Sequence, residues 1–252
     1  MQFVKFSIIT VVFNGEKYIQ ETIDSVLEQT YSNIQYIIID GASTDSTNDI
    51  IKQYKNQIDC YVSEKDNGMY EAINKGLKLA TGDYILILNS DDYLATKNVL
   101  SELNGHLNNK FVDFFYCNLI RNKNNILRYI KLKKYAFVDV LCSMHGTFIP
   151  HPTLFVSANF LKLNKLQYNL TFKYASDFDF ILNCLNVSKN YSHINLYSSV
   201  FREHSESITS SGKIDVERIA ILNKWHLHKI NFISRSFRYY KNWIVYKTFN
   251  FK

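Results

Sequence analysis

The sequence predicts an α/β domain built on a mainly parallel central sheet flanked by helices. Continuous apolar, β-branched runs at Phe6–Phe13, Ile34–Ile39 and Tyr84–Leu88 read as strands buried on both faces. Segments of helical spacing alternate with them, and that alternation implies right-handed crossovers and parallel strands. The 252 residues, 46% hydrophobic and 21% charged, suffice for a sizeable core.

The elements follow in order. The first strand, Phe6–Phe13, is broken by Asn14-Gly15. Ile19, Ile23, Val26 and Leu27 then mark one face of a helix over Tyr18–Thr30. Strand Ile34–Ile39 ends at Asp40-Gly41, and Ser43 or Thr44 can cap a helix running to about Asn56. Asp59–Ser63 reads as a short strand, and Met69, Ile73, Gly76, Leu77 and Ala80 as a helical face. Thr81-Gly82-Asp83 turns the chain into Tyr84–Leu88. Further on, Val112–Leu119 and His193–Phe201 look like strands, and Arg121–Lys134 a hairpin or loop. Thr147–Val156 should be extended, because Pro150 and Pro152 exclude helix. Helices are expected over Asp177–Val187, capped by Ser176, and over Ile214–Ile230 and Phe237–Phe249.

Charge is distributed unevenly. Residues 1–100 carry 8 Lys/Arg against 14 Asp/Glu, and residues 101–252 carry 21 against 9. Acidic groups can hold a cation, and basic ones can meet an anionic partner. Cys60, Cys117, Cys142 and Cys184 have no short spacing, so buried thiols are expected rather than a zinc site or disulfides. Met1–Thr10 reads straight into a strand without a leader, and no apolar run approaches a bilayer span. A cytoplasmic protein, at most peripheral on the membrane, is expected. Lys224–Lys252 has seven Lys/Arg, no acid and many Trp, Tyr and Phe. This fits either a helix on an anionic membrane surface or helices packed on the domain with a basic face outward. No nucleic-acid motif accompanies it, so nucleic acid is not expected as a partner.

In parallel sheets, ligands sit outside the carboxyl ends of the strands. Asp40, Asp91 and Asp92 all fall at that edge. Adjacent carboxylates at a strand end repel unless a cation or water offsets them. Mg²⁺ and Mn²⁺ prefer one or two carboxylates plus phosphate oxygens. A solvated turn is the alternative reading of Asp91-Asp92 alone.

Four ordered blocks add to this: SIITVVFNGEKYIQETIDSVLEQTY, YIIIDGASTDST, SEKDNGMYEAINKGLKLATGDYILILNSDD and YASDFDF. Together they resemble the inverting family 2 glycosyltransferases of the GT-A fold, closely over residues 6–93 and loosely to about 210. The resemblance implies a GT-A domain over residues 1–212, with a nucleotide-binding half to 100 and an acceptor half beyond, and a C-terminal helical extension over 213–252. It implies a nucleotide-diphosphate sugar donor, UDP by default, and a saccharide or polyprenol-linked acceptor in envelope polysaccharide assembly. By the same resemblance Phe13, Asn14, Asp40, Asp66, Gly68, Asn74 and Asp91 face the nucleotide. Asp92 is the expected direct ligand of a divalent metal, Mn²⁺ or Mg²⁺, and His204 a further metal or phosphate contact. Asp177 is the expected general base, and His151 part of the acceptor wall. Asp179 is expected to be structural. The stretch Leu163–Tyr168 departs from the family's Gly-x-Phe-Asp turn, which leaves the acceptor side open.

Rival classes lack their signatures. The first strand is not followed by G-x-G-x-x-G, no G-x-x-x-x-G-K-[ST] occurs, and no basic Gly-rich loop stands where a nucleotidyltransferase would hold a triphosphate. A catalytically silent sugar-nucleotide binder remains the non-enzyme alternative.

Overall fold

The computed structural model describes residues 3–107, 110–141, 149–204 and 213–225. The amino-terminal half alternates strand and helix: β1 (Phe6–Val12), α1 (Ile19–Leu27), β2 (Ile34–Asp40), α2 (Thr47–Gln53), β3 (Cys60–Ser63), α3 (Met69–Leu79) and β4 (Tyr84–Ile87). Then come β5 (Tyr93–Leu94), α4 (Val99–Leu107), β6 (Phe114–Lys123), β7 (Ile126–Ile130) and α5 (Phe137–Leu141). A single 3₁₀ turn (His151–Thr153) leads into β8 (Leu154–Ser157), α6 (Ala158–Asn164), α7 (Ser176–Val187), β9 (Tyr191–Glu203) and α8 (Lys213–Lys224).

The nine strands form one sheet in the order β3-β2-β1-β4-β8-β6-β9-β5, with β7 paired to β6. β1 to β4 are mutually parallel, whereas β8 runs antiparallel to both β4 and β6. The chain moves outward from β1 through β2 to β3, then crosses back to place β4 on the other side of β1. That reversal opens a crevice at the carboxyl ends of β1 and β4, where such sheets take ligands.

The apolar runs fill both faces. Ile8, Ile38, Leu86 and Phe155 pack with Ile19, Ile23 and Leu100 from α1 and α4 on one side. Ile9, Ile37, Ile87 and Phe114 pack with Ile73, Phe178 and Ile181 from α3 and α7 on the other. Gly76 lets α3 approach β1 closely, since a Cβ there would lie 2.5 Å from the Ile9 methyl. The α3–β4 turn is sewn to β1 by Ser7, whose hydroxyl accepts from Gly82 N at 2.8 Å and donates to Gln35 at 2.7 Å.

Several elements differ from the sequence expectation. The helix expected from Ser43 or Thr44 begins at Thr47, because Ser43 serves the loop before it. Arg121–Lys134 begins as a true hairpin, turning at Asn124-Asn125 with φ of 51° and 63°. Asn tolerates that left-handed pair, which a tight hairpin turn requires. β5, α4 and α6 were not expected. The two residues of β5 exist through pairing with Val200 and Ser199 of β9, a partner invisible to local pattern. Ser176 does not cap α7; the position before it is Ala175. Cys142, residues 147–148, the helix expected beyond 225 and the whole of 237–249 lie outside the described residues, as does most of the basic aromatic stretch. Cys60, Cys117 and Cys184 are free thiols, the last two buried. Among the described residues no helix is long and apolar enough to cross a membrane.

Gly82 offers a test of the packing. A Cβ there would sit 2.6 Å from Ser7 N and 2.7 Å from Lys5 O, both backbone atoms with little freedom to move. Gly82→Ala is expected to cost about 2 kcal/mol and lower the melting temperature by about 4–8 °C, read in a thermal melt.

Candidate active site

A cavity of about 1130 Å³ opens at the carboxyl ends of β1 to β4 and continues under β6 and the start of α7. One wall begins with Phe13, which is 65% exposed at the mouth. Asn14 follows with φ of 50°; its side chain accepts from Thr44 N at 2.9 Å, and its N–H donates to Ser43 Oγ at 2.8 Å. These bonds staple the β1–α1 loop to the β2–α2 loop.

Asp40 does not face the cavity. It is fully buried, and its carboxylate accepts from Ser43 N, Ser43 Oγ (2.5 Å) and Ser63 Oγ (2.6 Å). It ties the ends of β2 and β3 together and leaves Gly41 at the surface of the pocket. Asp66 does line the cavity, and its carboxylate accepts from Gly68 N at 2.8 Å. Gly68 holds φ of 129°, a region L side chains rarely enter, and begins α3 at the cavity wall. Asn74 is turned inward instead. Its amide clamps the Tyr168 backbone from both sides, donating to the carbonyl at 2.8 Å and accepting from the N–H at 2.9 Å.

The acidic pair after β4 splits in the same way. Asp92 is fully buried and does not line the cavity, contrary to the expectation that it is the direct metal ligand. Its carboxylate accepts from Arg202 N at 3.1 Å and, weakly, from Asn89 Nδ2 at 3.4 Å. Burial, with the neighbouring Asp91 charge behind it, pushes its carboxyl well above the ordinary range. Asp91 instead faces the cavity and meets His204 Nε2 at 2.9 Å. Arg202 locks this corner: Nε donates to Asp91 O, and the guanidinium lies over the Tyr18 ring at 4.5 Å. Asn89 Oδ1 is buried beside the pair with no hydrogen-bond partner, an acceptor ready for a donor at the cavity floor. Among the described residues no group of three or more His, Cys, Asp or Glu could hold a metal. A carboxylate and an imidazole at an open pocket nevertheless fit a cation that completes its shell with phosphate oxygens and water.

Asp177 reaches the cavity from the first turn of α7. Its Oδ1 accepts from Tyr70 Oη at 3.3 Å and Phe178 N at 2.8 Å. Burial and then the Asp177 carboxylate push the Tyr70 phenol upward, so it stays a donor. Tyr70 stacks on Tyr168, and Tyr168 on Phe180, at centroid distances of 5.7 and 4.2 Å. The Tyr168 hydroxyl meets His151 Nε2 at 2.6 Å. Burial lowers His151 and raises Tyr168, so both are neutral and share a single hydrogen between them. His151 thus lines the cavity as a neutral group held by a tyrosine.

Helix α8 completes the cavity wall beside α7 with Ile214 and Arg218. Glu217 accepts three consecutive backbone N–H groups, from Lys173, Tyr174 and Ala175, at 2.8, 2.7 and 2.9 Å. It fixes the turn just before α7. Lys224 pairs with the buried Asp179 at 3.1 Å, which makes Asp179 a pin between α7 and α8. Arg218 lines the cavity with its guanidinium 5.1 Å from the Phe178 ring.

The structure therefore brings Phe13, Asn14, Asp66, Gly68, Asp91, His204, His151 and Asp177 to one cavity, and turns Asp40, Asn74 and Asp92 into its supports. Tyr70, Tyr168, Glu217 and Arg218 were missed. Tyr70 stands inside a quoted block, but nothing local marks it as a partner of a residue 107 positions later.

The parallel sheet and the crevice at the carboxyl ends of its strands make this an α/β ligand-binding fold. The model for glycosyl transferase family 2 matches residues 7–178, and the chain belongs to that family. An uncharacterized glycosyltransferase of Rickettsia typhi is 31% identical over 234 residues, 89% of this chain and 72% of that protein. The Escherichia coli protein named UDP-Glc:alpha-D-GlcNAc-diphosphoundecaprenol beta-1,3-glucosyltransferase WfaP is 30% identical over 208 residues, 81% of this chain and 80% of that one. Staphylococcus aureus TarS 1–349, in complex with UDP-GlcNAc, superposes with a TM-score of 0.71 at 20% identity, covering 86% of this chain and 65% of that one. The mannosyltransferase PcManGT of Pyrobaculum calidifontis, in complex with GDP-Man and Mn²⁺, gives 0.67 at 17% identity over 91% and 66%. These two likenesses establish the GT-A-like fold.

Removing the Glu217 carboxylate would strand three N–H groups where the chain enters α7. Glu217→Ala is expected to lower stability by about 2 kcal/mol, seen as an earlier thermal melt and faster amide exchange at residues 173–175.

Proposed function

We propose that the cavity binds a nucleotide-diphosphate sugar and transfers the sugar, with inversion, to a hydroxyl of a saccharide or lipid-linked saccharide. One observation carries the reading: the Asp91–His204 pair and Asp177, far apart in the chain, line the same cavity from its two halves. The base would lie against Phe13, near Asp66, in the pocket that Gly41 keeps open. UDP is the default nucleotide, with GDP or dTDP as the alternatives. The relative named as a UDP-Glc transferase and the TarS complex with UDP-GlcNAc support UDP.

The diphosphate would lie beside Asp91 and His204, which would hold Mn²⁺ or Mg²⁺ between them and the phosphate oxygens. When bound, the metal stabilises the charge that develops on the leaving diphosphate. The ligand assigned here is Asp91 rather than Asp92, whose carboxylate is already used by Arg202 N. Asn89 Oδ1 would accept a hydroxyl of the donor.

Asp177 acts as general base. It takes the proton of the acceptor hydroxyl as the oxygen attacks the anomeric carbon in line with the departing diphosphate. Tyr70 orients the carboxylate by donating to Oδ1, and α8 fixes the turn that carries it. His151 forms part of the wall against which the acceptor lies. A lipid-diphosphate-linked saccharide is the favoured acceptor, in keeping with the printed name of the Escherichia coli relative. Such an acceptor would bring the protein to an anionic membrane surface.

Thermal shift and turnover test the assignments together. UDP with Mn²⁺ should raise the wild-type melting temperature, and EDTA should cancel the gain. Asp91→Asn should keep the unliganded melt near wild type and lose the Mn²⁺-dependent gain. Asp92→Ala should lower the unliganded melt itself, because it strands Arg202 N. An Asp91→Asn protein that keeps the full gain would refute the metal assignment. Asp177→Asn should retain UDP binding while turnover falls about 10²–10⁴-fold. Binding without turnover in the wild type, across donors and acceptors, would instead favour a silent sugar-nucleotide binder.

A further inference from the structure

β6 and β7 form a ribbon along one wall of the cavity. Residues directly opposite in an antiparallel pair share a face. Leu119 opposes Ile130, Arg121 opposes Arg128, and Lys123 opposes Ile126, so these three pairs lie on one face. Leu119, Ile130 and Arg121 line the cavity, which makes this face an outward continuation of its wall. Each step along it is two residues, about 7 Å. The wall is apolar at the first step, doubly cationic at the second, and mixed at the tip, where Ile126 is 64% exposed.

Like charges directly opposite one another destabilise a strand pair. The Arg121–Arg128 pair is therefore unfavourable to folding unless counter-charge is supplied. The counter-charge on this face is Glu203 of β9, which takes Lys123 Nζ at 2.5 Å and lies 3.8 Å from Arg121 Nε. One carboxylate thus stands against three cations, paired with two of them, and leaves an excess of two. Among the described residues no carboxylate forms an ion pair with Arg128. Of the two arginines, Arg121 lines the cavity that also holds Asp177.

We infer that Arg121 and Arg128 form an anion site on the acceptor side of the cavity, and that its ligand is a phosphate or diphosphate ester carried by the acceptor. The inference deepens the reading of the cavity as a sugar-transfer site and rests on it. The acceptor sugar occupies the apolar step beside Leu119 and Ile130, and its phosphate lies one step outward between the two guanidinium groups. Planar guanidinium forks bind phosphate oxygens in pairs, which single ammonium groups do not. The donor diphosphate is a separate anion, held by Asp91 and His204 through the cation.

The test is calorimetric titration of the full chain with inorganic pyrophosphate, with the donor site filled by UDP and Mn²⁺, and again in EDTA without either. Arg121→Gln/Arg128→Gln should weaken pyrophosphate about tenfold or more in both conditions and leave UDP affinity unchanged. Its melting temperature should be equal to wild type or higher, since a repulsive pair is gone; a pair kept for folding would give a lower one. Lys133→Gln/Lys134→Gln removes the same charge from amines that lie over the Tyr135 and Tyr191 rings, and should change the affinity less than about twofold. Equal losses in both double variants would mean a net-charge effect and overturn the site. Pyrophosphate displaced by UDP would assign the arginines to the donor and also overturn it. Vesicles of equal parts phosphatidylcholine and phosphatidylglycerol separate the remaining source. If the arginine variant loses vesicle binding and keeps pyrophosphate affinity, the ribbon serves a bilayer and not the acceptor's ester. Failure of UDP to bind at all would refute the donor reading, and the EDTA titration would still decide the arginines.

Discussion

The site depends on buried carboxylates that accept hydrogen bonds from the chain at the ends of strands and helices. Asp40 gathers Ser43 and Ser63, and Asp92 gathers Arg202 N and Asn89. Asp179 receives Lys224. Removing such a group would leave polar donors without partners in a low-dielectric interior, which is costly. Each fixes a short segment whose neighbour then faces the cavity: Gly41 beside Asp40, Asp91 beside Asp92, Asp177 two residues before Asp179. The carboxylates that face the cavity are held still by buried ones next to them.

This arrangement explains what sequence could and could not convey. The parallel half of the sheet was legible because β1, β2 and β4 are buried on both faces and written as unbroken apolar runs. The edge where ligands bind followed from topology. Which acid of an adjacent pair is exposed did not follow. At a strand end the two side chains diverge, and the choice is made by the loop and by β9, more than 100 residues away. Asp40 and Asp92 have the residue type and place of ligands, yet packing turns them inward. Asn74 is turned inward for the same reason, since its two bonds go to a backbone 94 positions distant.

The second half of the chain was less legible because its parts are defined by one another. β5 is two residues long and exists through β9. The first turn of α7 takes its orienting contacts from α3 and its anchoring contacts from α8. Glu217 in a short helix carries no mark of its role; only the folded chain shows three N–H groups converging on it. The departure at Leu163–Tyr168 was visible, and it proves to be where Tyr168 enters the aromatic stack.

That stack of Tyr70, Tyr168 and Phe180 crosses from the first half of the chain to the second. Rings in face contact and pinned by hydroxyl bonds resist shear. Helix α3, the loop that carries Tyr168 and helix α7 are thus riveted to one another. A wall braced in this way holds the width of the cavity at that point against sideways load.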